Sequence, residues 1–364
     1  MTSVLEAVED LKVVVCTGPG GVGKTTTAAA LALALAVRGR RVALITVDPA
    51  RRLADALGLE VLTNHPTSVA LPRTVSGSVD AMMLDTRETF DDLVRRHAPS
   101  TAQGERILAN RFYQNIAGAL GGTQEYMAME KLHELVTAPR CADGTTLPAF
   151  DCIVVDTPPT KNALEFLSAP ERLIRFLDNR VFRAMMLPAR GGFRVVGLAT
   201  QAVLRTLGKI VGGEVIADAV AFFQAFEGME EGFRARAAAV TSLLRAPTTG
   251  WIVVTSPRDE SVAEALFLVD QLADGDVTVQ GIIANRVQPS FAPLPVVESV
   301  APELRAAVER AHAANDLADA HRLALEPLRE RSRPLQELAL RATDVHDLAG
   351  LRELASSLAT GSAR

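Results

Sequence analysis

Residues 16–30 read CTGPGGVGKTTTAAA. Inside this stretch, Gly18-Pro19-Gly20-Gly21-Val22-Gly23-Lys24-Thr25 fits the pattern G-x-x-x-x-G-K-[ST] of a phosphate-binding loop. The run before it, KVVVCT (12–17), is apolar and β-branched, as a buried strand requires. The run after it, TTTAAALALALAVRG (25–39), has the composition of a buried helix, with Gly39 placed to stop it. Strand, loop and helix in that order give the pattern its chemical meaning. Glycines let backbone N–H groups turn toward phosphate oxygens, and the helix N-terminus adds the positive end of its dipole. Gly18, Gly20, Gly21, Val22 and Gly23 are therefore expected to line a nucleotide. Lys24 is expected to reach the β- and γ-phosphates, Thr25 to ligate Mg²⁺ through its hydroxyl, and Thr26 to bond the α-phosphate. A glycine-rich turn that binds nothing could share the composition, but it would not need the flanking strand and helix.

Four further apolar runs extend the pattern outward: RVALITV (41–47), FDCIVVD (150–156), WIVVTS (251–256) and VQGIIAN (279–285). They are continuous rather than alternating, as for strands covered on both faces of a parallel sheet, and helical stretches separate them. The expected fold class is α/β, a P-loop NTPase with a doubly wound, mainly parallel sheet. A further strand is expected near RLALEP (322–327), within a charged helical region after Pro302. No internal repeat is visible, so one nucleotide site per chain is expected.

Two carboxylates close predicted strands, Asp48 after RVALITV and Asp156 in FDCIVVD. In an open parallel sheet both fall at the carboxyl edge, beside the phosphate loop. Asp156 is placed to hold Mg²⁺ through water, and Asp48 to orient or deprotonate the attacking water. Either carboxylate taken singly would equally suit a helix N-cap or a turn.

Composition narrows the classes. The 364 residues are 48% hydrophobic and 22% charged, with a net charge of −5, so no overall basic field favours nucleic acid or an anionic membrane. The acidic opening MTSVLEAVEDLK predicts no secretory signal, and the apolar stretch 28–37 is too short to span a bilayer. Cys16, Cys141 and Cys152 are odd in number and scattered, which suits a reducing cytoplasm. Cys16 and Cys152 fall in predicted core strands and Cys141 in a loop. The six histidines show no ligand-like spacing and read as solvated or capping residues.

Residues 98–145 and 170–247 are long, mostly helical and without a clear strand. The second holds seven of the 13 phenylalanines (Phe176, Phe182, Phe193, Phe222, Phe223, Phe226 and Phe233) with Met185, Met186 and Met229. Both are expected to form one helical subdomain inserted into a nucleotide domain made of 1–97, 146–169 and 248–364. Its apolar residues would make a helical-bundle core or a groove for a hydrophobic client helix.

LITVDPARRLADALG (44–58) resembles the first switch of the ArsA-type ATPases, the arsenite-pump and tail-anchored-protein-targeting family, and VVDTPPTKNALEFL (154–167) resembles the second. GTQEYMAMEKL (122–132) is similar to a family segment beneath the switches. WIVVTSPRDESVAEA (251–265) and GIIANRV (281–287) resemble the family's adenine-side elements. The likeness spans residues 12–287 in order, and is strongest to actinobacterial anion-transporting ATPase subunits, which share the D-T-P-P form. It implies a dimeric ATPase using ATP and Mg²⁺, closing on ATP and opening on hydrolysis, with clients bound by the helical subdomain. It also implies that Asp48 activates water and Asn285 reads adenine.

The chain departs from that pattern in three places. Pro19 stands where the family usually carries a lysine donated across the dimer, and proline has neither charge nor a free φ. Lys161-Asn162 replace a common Gly-His pair. No C-x-x-C is present for shared zinc, and the cysteines do not cluster as a metalloid site requires. Three functions remain in play: an ATPase switch acting as a homodimer or with a paralogous subunit; a nucleotide-dependent binding subunit with little hydrolysis; and a septum-positioning or partitioning ATPase. The weakly amphipathic C-terminal LAGLRELASSLATGSAR, with only two arginines, Arg352 and Arg364, disfavours the last.

Overall fold

The computed structural model describes residues 3–47, 51–116, 123–142, 145–158, 163–178, 213–225, 227–331 and 333–360. Asp48 lies outside them, as do Lys161 and Asn162 and the Phe182, Met185, Met186, Phe193 and Phe226 part of the insert. The chain divides into two compact units. The first comprises Met1–Met83, Glu134–Leu164 and Leu244–Arg364, the second Leu84–His133 and Glu165–Leu243.

The first unit is built on an eight-stranded sheet. Its strands are β1 (Val13–Thr17), β2 (Arg41–Thr46), β3 (Thr67–Ser68), β4 (Ser78–Met83), β7 (Cys152–Asp156), β8 (Thr249–Thr255), β9 (Val279–Val287) and β10 (Leu335–Ala339). Spatial order is β10-β9-β8-β1-β7-β2-β4-β3, parallel throughout except for the β3–β4 pair. The five expected apolar runs form β1, β2, β7, β8 and β9. They occupy the interior of the sheet, and β1, β7 and β8 are buried along their whole length. β4 escaped the sequence reading because Asp80 interrupts its apolar run, as the half-exposed pattern of a strand near the edge permits. The strand expected at 322–327 is instead helical, inside α12 (Pro302–Arg329), and the edge strand begins eight residues past Pro327 at β10. A run as short as RLALEP fits either period, and only its helical surroundings decide between them.

α2 (Lys24–Val37) has alanine and leucine buried on every side. An all-round apolar helix must be enclosed, and α13 (Leu348–Thr360) encloses it, packing Leu351, Leu354, Ala355 and Leu358 into the same core. Gly39 ends α2 as expected, at φ 89, with its N–H on Ala36 O at 2.9 Å and Arg40 N–H on Leu35 O at 3.2 Å. At the opposite edge of the strands, Arg41 grips Asp151 through Nη2 at 2.6 Å and Nε at 3.0 Å, and this ion pair holds the carboxyl below its usual range. α1 (Val4–Val8) opens with a capping box from Ser3 to Glu6 and buries Val4, Leu5 and Val8. The buried Gln336 of β10 ties three elements together. Its Oε1 accepts from Val4 N–H at 3.3 Å, and its Nε2 donates to Ser357 O and Leu358 O at 2.9 and 3.0 Å.

In the first unit, β5 (Pro139–Ala142) and β6 (Thr145–Pro148) make an antiparallel hairpin. Cys141 therefore lies in a strand, not in the loop expected for it, and the segment 98–145 is not strand-free.

The second unit begins at Leu84 rather than near residue 98, so α4 (Thr86–His97) belongs to it. α5 (Thr101–Leu108), α6 (Arg111–Ile116), α7 (Thr123–Thr137), α8 (Ala163–Leu177), α9 (Gly213–Ala225) and α10 (Glu230–Leu244) follow. Phe222 and Phe223 are buried against Phe112 and Tyr113, and Phe222 stacks on Tyr113 at 5.9 Å. Phe222, Phe223, Met229 and Phe233 thus belong to a bundle core. Glu130 on α7 is buried and accepts bonds from Tyr126 Oη and from Arg236 Nε at 2.7 Å. His97 and His133 beside this pair are half-buried rather than solvated. Burial first, then the Arg236 charge, lowers the pKa of both.

Replacing Gln336 by leucine leaves one buried backbone N–H and two carbonyls without their partner. Thermal or urea unfolding should show a loss of about 2–3 kcal/mol.

Candidate functional site

β1 delivers the chain to the loop at Thr17, at the carboxyl edge of the sheet. Gly18 leaves the strand so close to β8 that a Cβ there would lie 2.0 Å from Val254 O. Gly23, the N-cap of α2, sits at φ 91, and its missing Cβ makes room for Asn285 Nδ2, which would stand 2.4 Å away. Both positions thus require glycine, for reasons of space at each and of backbone conformation as well at Gly23. Lys24 is buried, and its Nζ donates to Gly18 O at 3.0 Å and Pro19 O at 2.8 Å, so the ammonium is drawn back over the loop.

Asp156, the last residue of β7, is 1% exposed. Its Oδ2 accepts from Thr25 Oγ1 at 2.7 Å and from Thr46 Oγ1 at 2.9 Å. Strand register brings this about, because Asp156 is the pairing partner of Thr46 on β2 and of Cys16 on β1. The next residue, Thr157, donates both its N–H (3.2 Å) and its Oγ1 (2.9 Å) to Cys16 O, which anchors the start of the second switch-like segment. One buried carboxylate and a hydroxyl at the helix start form an all-oxygen donor set, the kind a hard divalent cation such as Mg²⁺ takes. The residues present fit that ion.

Asn285, near the end of β9, donates from Nδ2 to Val22 O at 2.9 Å, and its Oδ1 accepts from Arg286 N–H at 3.0 Å. Arg286 itself sits in the left-handed region at φ 63 and donates from Nη1 to Gly21 O at 3.2 Å. The structure therefore gathers the loop, Lys24, Thr25, Asp156 and Asn285 at one edge of the first unit. Thr26 lies in the first turn of α2, and Asp48 is outside the described residues. Thr46, Thr157 and Arg286 were not singled out in the sequence. Thr46 could have been, as the lone hydroxyl among the apolar residues that end β2; Arg286 has no local signal of comparable weight.

The thiols play a different part. Cys16 and Cys152 are buried in β1 and β7. Burial pushes the Cys16 pKa far up, helped by the Asp156 charge, and pushes Cys152 up to about 12. Both remain neutral and unsuited to ligating metal or metalloid. Among the described residues, no group of three or more His, Cys, Asp or Glu could hold a metal ion. No described helix is long and apolar enough to cross a membrane.

The sequence profile of the anion-transporting ATPase family, the ArsA type, matches residues 11–293. The chain belongs to this family. Similar proteins include an ATPase ASNA1 homolog of Dictyostelium discoideum, 27% identical over 77% of this chain and 73% of that protein. Another is the ATPase ARSA2 of Chlamydomonas reinhardtii, 29% identical over 77% of this chain and 68% of its own length. ATPase BagA of Mycobacterium tuberculosis is 32% identical over 48% of this chain and 47% of that one. The chain is accordingly a P-loop NTPase and an ATP hydrolase.

Gly18→Ala drives a methyl group into the Val254 carbonyl, which cannot move without disturbing the sheet centre. A stability loss of about 2 kcal/mol or more is expected in thermal unfolding, with weakened ATP binding in titration.

Proposed function

We propose that this chain is a Mg·ATP-dependent switch of the cytoplasm, in which nucleotide binding and hydrolysis set a dimer interface and, through it, binding by the second unit. The observation that carries the reading is the Asp156 carboxylate shared by Thr25 and Thr46 at the mouth of the phosphate loop. Thr25 and Asp156 would hold Mg²⁺, which when bound supplies neutralisation of the charge on the phosphate oxygens. Lys24, now bonded to the Gly18 and Pro19 carbonyls, would exchange them for β- and γ-phosphate oxygens of ATP. The backbone N–H groups from Gly20 to Thr26 would bind the phosphates. Asn285 spends one amide hydrogen on Val22 and keeps the second for adenine. Asp48, two residues beyond Thr46, would orient the attacking water and take its proton.

Pro19 bears on how the dimer is made. A cation supplied across an interface can speed phosphoryl transfer by about 10³–10⁵-fold, and Pro19 offers none. Either Arg51 or Arg52 serves in its place, or a paralogous subunit with its own loop lysine completes this site. We favour the paralogue, so that the chain alone is a slow ATPase. Client binding by the second unit rests on the resemblance and on Phe182, Met185, Met186 and Phe193, outside the described residues. A membrane-binding C-terminal helix, which a septum-positioning ATPase would use, is disfavoured, since α13 has its apolar face in the core against α2.

Asp48→Asn should keep Mg·ATP binding in titration while phosphate release falls by about 10²–10⁴-fold, the usual worth of a general base. Wild-type turnover in that variant would remove Asp48 from the mechanism. Pro19→Lys should raise the chain's own phosphate release if it homodimerises, and addition of the paralogue should stimulate the natural chain. Fast turnover by the natural chain alone, unchanged by Arg51→Ala and Arg52→Ala, would overturn the heterodimer reading.

A further inference from the structure

Arg286 is an exposed arginine held in the left-handed region, where a side chain with a Cβ is strained, and the preceding Asn285 is buried. Strain of this kind persists where the surroundings over-determine it, and it concentrates at working sites. The contacts of these two residues form a pattern. Asn285 Nδ2 takes Val22 O at 2.9 Å, and Arg286 Nη1 takes Gly21 O at 3.2 Å. Two consecutive side chains of β9 thus hold two consecutive carbonyls of the phosphate loop. Asn285 Oδ1 also accepts from Arg286 N–H, so the amide that holds the loop braces the strained backbone as well.

Peptide planarity gives this a consequence. In a trans peptide the C=O of one residue and the N–H of the next point in opposite directions. With the Gly21 carbonyl drawn toward β9, the Val22 N–H is turned away from β9. With the Val22 carbonyl drawn the same way, the Gly23 N–H follows. We propose that Arg286 is a positioning residue which, paired with Asn285, latches the loop from behind so that the Val22 and Gly23 N–H groups face the phosphate before any nucleotide arrives. This rests on the nucleotide-site reading above and adds to it a residue that acts on the phosphates through the backbone. The ligand chemistry it serves is a diphosphate, with or without a base.

The test titrates ADP, inorganic pyrophosphate and AMP into the full chain and its Arg286→Met, Arg286→Lys and Arg286→Gly variants, and follows thermal unfolding without nucleotide. Loss of one charge-assisted hydrogen bond corresponds to about tenfold in affinity. Arg286→Met should therefore bind ADP and pyrophosphate about tenfold more weakly, with AMP changed much less; Arg286→Lys should recover part of the loss. Arg286→Gly relieves the left-handed strain, so its unfolding midpoint should not fall although its diphosphate binding does. A residue present for stability alone would lose both together. Equal losses for AMP and ADP, or undiminished pyrophosphate binding by Arg286→Met, would overturn the latch while leaving the site reading intact. Failure of the natural chain to bind ADP would instead overturn the site reading, and the latch with it.

Discussion

The carboxylate of Asp156 is the constraint on which the site depends. A charge this deeply buried is tolerable only if hydrogen bonds surround it, and Thr25 and Thr46 provide two at 2.7 and 2.9 Å to the same oxygen. Those two bonds join the start of α2, the end of β2 and the end of β7. Neither hydroxyl could reach the carboxylate if the strands slipped by one residue, because side chains would then change faces. The sheet register and the chemistry of the site are therefore the same condition. A parallel sheet with continuous apolar strands fixes that register through burial on both faces, and the polar groups appear only at its carboxyl edge.

Behind the edge, the loop is gripped by its neighbours rather than by its own side chains. β8 leaves no room for a side chain at Gly18, and β9 fills the space a side chain at Gly23 would take. α2 can carry the loop because it is enclosed by the sheet on one side and by α13 on the other, and its alanines allow the close approach. Lys24 begins the helix and folds back on the loop carbonyls, which satisfies a buried ammonium. Asn285 and Arg286 add two bonds from the strand farther out. The loop is thus shaped from below, from behind and by its own lysine.

The second unit follows another logic. Its described core is aromatic, with Tyr113 between Phe90 and Phe222, and beside it the buried Glu130 carboxylate pairs with the half-buried Arg236, braced by Tyr126. Removing Arg236 would strand the buried Glu130 charge, which is costly even where an apolar pair would be as stable. Family membership links this chain to ATPases, while the uncharged Pro19 sets it apart within the resemblance that its motifs carry. On the reading proposed above, what the loop lacks in positive charge would come from another residue or another chain.

The sequence alone determined the α/β class, the five central strands and the phosphate loop, because each rests on short-range requirements. Short apolar runs rich in β-branched residues favour buried strands, and glycines with a lysine and a threonine at fixed spacing suit a phosphate. Asp156 was legible for the same reason, as an acid closing an apolar run. Tertiary structure decided the rest. β4 carries Asp80 and reads as polar, and RLALEP fits a strand until the 28-residue helix around it is seen. Cys141 lies in a hairpin that only the pairing of β5 with β6 defines, where it stands opposite Thr146. Thr46 gains its meaning from lying opposite Asp156, 110 residues away in the chain, and Arg286 from lying beside Gly21, 265 away. Contacts over such separations leave no local trace, since hydroxyls and guanidinium groups are ordinary residues until the fold sets them against a particular oxygen.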